Sequence, residues 1–153
     1  MTTVPESIVD KNLDAACAAV TGEISRTDAK ASLLLAFNGA ALAGVASIAS
    51  RDLPTAANAV GALAVLALGT AAVLLLLVVR PNLRGDDRAS FPHWARLTDD
   101  DTVRASMDSD TRAARIRVLS AIAVTKFARL RRAIDCTLAA LALLALAAIG
   151  AVL

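Results

Sequence analysis

Tyrosine is absent from this chain of 153 residues, and aromatic side chains make up only 3% of it: one Trp and three Phe. Apolar residues nevertheless reach 57% and the mean hydropathy is positive, a combination that argues against an ordinary soluble core. Cysteine is equally scarce. Cys17 and Cys136 have no spacing that suggests a disulfide framework or a metal site, and both are expected as small, reduced, buried residues. The one histidine, His93, has no His or Cys partner nearby in sequence and is expected as a loop residue, with no metal. No catalytic triad, paired-carboxylate site or phosphate-cradling Gly-rich loop is present, so no enzyme activity and no cofactor are expected. Nothing calls for a nucleic acid.

What is there is Ala, Leu and Val, gathered into long uncharged blocks. Ala31–Ser50, Leu53–Val79 and Cys136–Leu153 each supply close to the roughly 20 residues that a helix needs to cross a bilayer. The expected fold is an all-α membrane protein with three transmembrane helices, an N-terminal amphipathic helix and a long third helix extending into the cytoplasm. The first block is not expected to be a cleaved signal peptide, because polar and amphipathic residues, with acidic groups in excess, precede it.

Net charge is only +2, so position matters more than amount. Lys11, Arg26 and Lys30 precede the first block, Arg51 lies between the first two, twelve basic residues run from Arg80 to Arg132, and none follows. The positive-inside bias then places the N-terminus and the long second loop in the cytoplasm of a multi-pass inner-membrane protein. The resulting divisions are a cytoplasmic amphipathic helix over 1–28, spans over 29–50, 57–80 and 132–153, a short outer loop over 51–56, and a basic cytoplasmic loop and helix over 81–131.

Within the first segment, Ile8, Val9, Leu13, Ala16, Cys17, Val20 and Ile24 repeat at the three and four spacing of one helical face, and Pro5 suits its first turn. No Gly or Pro cluster separates this helix from the first span, so one rod bending around Gly22 is expected. Arg51, Asp52 and Pro54 close a short turn, with Pro54 near the start of the second helix. Arg80 can snorkel to the phosphate layer, and Pro81 followed by Gly85 stops that helix. Loop with short helical turns is expected from Asn82 to Asp108. Asp108 or Ser109 then caps a helix whose stripe of Ile116, Leu119, Ala123, Phe127, Leu130 and Ile134 leads into the third span. Continuous to Leu153, it would be about 67 Å long at about 1.5 Å per residue. Its stripe and that of the N-terminal helix would bury each other in a small bundle.

Polar groups collect where the apolar blocks begin: Arg26, Asp28 and Lys30 before the first, and Lys126, Arg129, Arg131 and Arg132 before the third. Basic side chains there ordinarily meet lipid phosphates. Asp28 gains nothing from lipid and needs a basic partner, with Arg129 or Arg132 as candidates. Asn38 lies roughly 12 Å into the first span, where an amide is normally turned toward another helix. Gly39, Ala43 and Ser47 repeat every four residues beside it and would allow close helix packing or self-association.

Taken in order, "RTDAKASLLLAFNGAAL", "VVRPNL" and "TKFARLRRAID" resemble the Pycsar transmembrane effector family, from the pyrimidine cyclase system for antiphage resistance. The matching positions are Asp28, Lys30, Ala31, Asn38, Gly39, Pro81, Lys126, Phe127 and Leu130, with Phe127 where Tyr is commoner. The resemblance runs from about Arg26 to Leu153. It implies a small inner-membrane effector of abortive infection whose functional partner is a neighbouring nucleotide cyclase and whose ligand is cyclic CMP or cyclic UMP. A cyclic mononucleotide offers one negative charge and a planar base, so it calls for one or two cations and a stacking surface. Arg26, Asp28, Lys30, Lys126, Phe127, Arg129 and Arg132 are the candidate nucleotide-binding residues, with Phe91 and Trp94 as further stacking surfaces. The expected assembly is a homo-oligomer in the lipid bilayer. Two other readings stay open: a holin-like pore former that needs no ligand, and a structural subunit of a membrane complex.

Overall fold

The computed structural model describes residues 8–48, 54–81 and 90–152. Pro5, Arg51, Asp52, Asn82 and Gly85 lie outside the described residues, as does the side chain of Phe91. Within them the regular structure is helical: α1 (Ile8–Ile48), α2 (Thr55–Val79), α3 (Phe91–Trp94), α4 (Asp100–Met107) and α5 (Arg112–Gly150). Three of these, α1, α2 and α5, are long and apolar enough to cross a membrane.

α1 runs unbroken through Gly22, so the amphipathic segment and the first apolar block are one helix. Pro54 stands at the N-cap of α2, where its missing N–H costs nothing, and its carbonyl accepts from Asn58 N–H at 3.0 Å. α2 ends at Val79 because Arg80 precedes a proline, which drives it out of helical geometry to φ −54, ψ 124.

The described part of the segment before α5 is loop with short helical turns, as expected: α3 and α4 are its two helical pieces. Asp99 caps α4, accepting from the Thr102 N–H at 2.7 Å and the Thr102 hydroxyl at 2.9 Å. Those two bonds hold its carboxyl below the usual Asp range. α5 starts at Arg112, later than a cap at Asp108 or Ser109 implies. Asp108 is instead the C-cap of α4, and the carboxylate that receives the first α5 amide belongs to Asp110, at 3.0 Å from Arg112 N. α5 is about 58 Å long at about 1.5 Å per residue.

The chain forms two compact units. The first comprises residues up to Arg26 with Pro81–Thr125, and the second comprises Thr27–Arg80 with Lys126–Leu153. The second holds the core. Ala31 from α1, Leu75 and Val78 from α2, and Leu130 and Ala133 from α5 form one buried cluster, flanked by Leu34, Leu35 and Leu74. Two of the three helices contribute Ala at this crossing, which lets their backbones approach closely. The first unit has no fully buried side chain among the described residues: Leu13, Val20, Ile24, Ile116 and Leu119 are half-buried, and Ile8 and Val9 are exposed.

Candidate functional site

In the second unit every charged residue among those described lies at one end. Asp28, Lys30, Arg80, Lys126, Arg129, Arg131, Arg132 and Asp135 flank the buried cluster, while the other described residues of this unit carry no charge. Asp28 and Lys126 meet there. Lys126 Nζ donates to both carboxylate oxygens of Asp28, at 2.5 and 2.7 Å, with the lysine side chain only 14% exposed and the aspartate 35%. The partner of Asp28 is therefore Lys126 rather than Arg129 or Arg132. The reason is helical phase: Lys126 stands four residues before the buried Leu130 and faces the core, whereas Arg129 is turned toward α2. Its Nη1 donates to the Leu77 carbonyl at 3.1 Å, one of the acceptors that the end of α2 leaves unsatisfied.

Asn38 is fully buried. Its Nδ2 donates to the Leu34 carbonyl at 2.9 Å and to Thr137 Oγ1 on α5 at 3.2 Å. The single Thr137 proton has two acceptors in reach, the Ala133 carbonyl at 2.9 Å and Asn38 Oδ1 at 3.3 Å. Gly39, Ala43 and Ser47 face outward, and a Cβ placed on Gly39 would meet nothing within 4 Å. Of the other candidates, Lys30 and Arg132 are exposed with no hydrogen bond or ion pair among the described residues, and Phe127 is exposed on α5, the helix that carries Arg132.

The first unit is organised by a different cation. Arg112 reaches Asp10 at 2.5 Å, Asp14 at 3.0 Å and Asp110 at 3.0 Å, and its Nη1 also donates to the Asp10 carbonyl at 3.3 Å. The carboxylates push the Arg112 guanidinium further toward its charged form, and the bonds from Arg112 hold the Asp110 carboxyl below its usual range. Among the described residues Arg26, also in this unit, pairs with the exposed Glu23 of its own helix, at 2.9 Å. An open groove of about 360 Å³ runs from Trp94 past Ser106 and Met107 to Arg112. Asp108 and Asp110 line it too, and with Asp10 and Asp14 on the same guanidinium the surroundings are acidic. That sign repels a nucleotide phosphate.

Thr137, the Leu77 carbonyl and the Arg112 network went unseen in the sequence. The acidic pair Asp10 and Asp14, one turn apart on a helix, was the signal that a cation would be brought to it. Thr137 offered none, because a threonine inside a span ordinarily bonds back to its own helix.

The family description "Pycsar effector protein domain" matches residues 12–153. The chain belongs to this family. No curated protein and no solved structure matches it. Membership makes the chain a Pycsar effector, a component of antiphage defence. In this Pycsar effector the stretches read separately at the first and third spans come together: Asp28 pairs with Lys126, and Ala31 packs in one cluster with Leu130.

Proposed function

We propose that this Pycsar effector is activated by a cyclic pyrimidine nucleotide, cyclic CMP or cyclic UMP, from a neighbouring cyclase. Activation impairs the inner membrane and ends the infection with the cell. The observation that carries this reading is that α1 and α5 are each unbroken helices that pass from polar sequence into an apolar span, and are tied there by Asp28–Lys126. A ligand that rotates or shifts either helix must therefore repack the spans, since no linker absorbs the motion. It does so only if it binds the active arrangement more tightly than the resting one.

Among the described residues the charge of the second unit lies at one end, and the positive-inside bias supports a cytoplasmic side for that end and for the N-terminus, where the nucleotide is made. Among the candidate residues, Lys30 and Arg132 have charge to offer a phosphate and Phe127 a face to a base, while Asp28, Lys126 and Arg129 hold the helices that carry them. A homo-oligomer is the active assembly.

The test is calorimetric titration of the detergent-purified protein with cyclic CMP, cyclic UMP, cyclic AMP and cyclic GMP. Selective binding of one pyrimidine nucleotide is expected, with at least a tenfold loss in K30A/R132A. Folded protein silent toward all four would overturn the ligand reading, and unchanged affinity in the double variant would overturn the site.

A further inference from the structure

Six basic and two acidic side chains stand at the charged end of the second unit, and one of the acids, Asp28, is already occupied by Lys126. The remaining cations come from all three long helices. Lys30 adjoins the buried Ala31 of α1, Arg80 follows the buried Val78 of α2, and Arg129, Arg131 and Arg132 flank the buried Leu130 on α5. Because Ala31, Val78 and Leu130 touch within one cluster, these five cations share one level and form a collar around the three-helix unit. Among the described residues of this unit, Asp135 is the one other acid.

We propose that this collar is a binding surface for anionic phospholipid headgroups. A cyclic mononucleotide carries a single charge and can reach one or two of these side chains. A collar spread over three helices exceeds that need, and matches a plane of headgroup phosphates instead. The apolar surface next to it fits the same partner: Leu33 on α1, Leu76 on α2 and Leu138 on α5 are all exposed just beyond the cations, where acyl chains would cover them. Arg80 and Arg131 are exposed and lie outside the nucleotide candidates. Arg129 is held on the Leu77 carbonyl, so lipid bound beside it bears on the end of α2.

The experiment is thermal unfolding of the full chain in nanodiscs of phosphatidylcholine alone and with phosphatidylglycerol. The wild type is expected to melt several degrees higher with the anionic lipid, and to lose that gain in about 1 M salt, where the screening length falls to about 3 Å. R80Q/R131Q should lose at least half of the gain, and the charge-keeping R80K/R131K should retain it. Equal melting in both lipids, or a full gain in R80Q/R131Q, overturns the proposal. So does a gain reproduced in phosphatidylcholine by inorganic phosphate, which would make the ligand a free phosphate. R80Q/R131Q leaves Lys30 and Arg132 in place, so its nucleotide titration fails or succeeds independently of the lipid result.

Discussion

Asp28 and Lys126 show how a charge can be tolerated at the edge of an apolar unit: both carboxylate oxygens are used, and the lysine is nearly enclosed. Removing one partner leaves the other partly desolvated, so D28A and K126A should each lower stability by about 1–3 kcal/mol. The exchange D28K/K126D should recover a good part of that. A double-mutant cycle on detergent-solubilised protein measures it, and strict additivity would show that the pair contributes nothing. The Arg112 cluster makes a separate prediction through pH. Asp110 has a folded-state pKa below the ordinary 3.8, so its contribution is fully present above that value and is lost as pH falls through the depressed one. Asp99 has the same sign. Amide exchange at α4 and the start of α5 should therefore be steady from neutral pH to about pH 5, once corrected for intrinsic rates, and accelerate at lower pH. R112Q should flatten the part that belongs to Asp110.

At the scale of elements, the long helices were legible because their causes are local. Uncharged length marks a span, proline marks an end, and Arg80 left the helix because of the residue that follows it. Boundaries that depend on competing caps were harder: Asp99, Asp108, Ser109 and Asp110 could all cap, and only the folded chain distributes them between α4 and α5. Where α1 and α5 cross, Ala31 and Ala133 are fully buried against Leu75 and Val78. Enlarging either residue forces the helices apart, so A133L is expected to cost about 1–3 kcal/mol, seen as a lower unfolding midpoint of the purified protein. An A133L protein as stable as the wild type would mean that the crossing is looser than its burial indicates.

For the molecule as a whole, the two units differ in what holds them. All the fully buried side chains among the described residues belong to the second, whereas half-buried apolar residues and the Arg112 carboxylates hold the first. Under the proposed activation, marginal burial suits the part that has to change its arrangement. Reconstituted into dye-loaded vesicles, the protein is expected to release dye only after the activating pyrimidine nucleotide is added, on the side that carries the basic collar. Release without any nucleotide would identify a ligand-independent pore.

The sequence by itself determined the helical class, the three apolar lengths and the gathering of charge at their boundaries, because each follows from composition and spacing along a few turns of chain. It also held the pattern of its family, in residues that are each unremarkable alone. Only the tertiary structure decided which groups meet. Whether Lys126 or Arg129 reaches Asp28, whether Thr137 receives the Asn38 amide, and which helix start Arg112 draws to Asp10 and Asp14 depend on the rotation and register of helices about a hundred residues apart in the chain. A hydrogen bond has a tolerance of a few tenths of an ångström, and helical periodicity does not resolve position that finely.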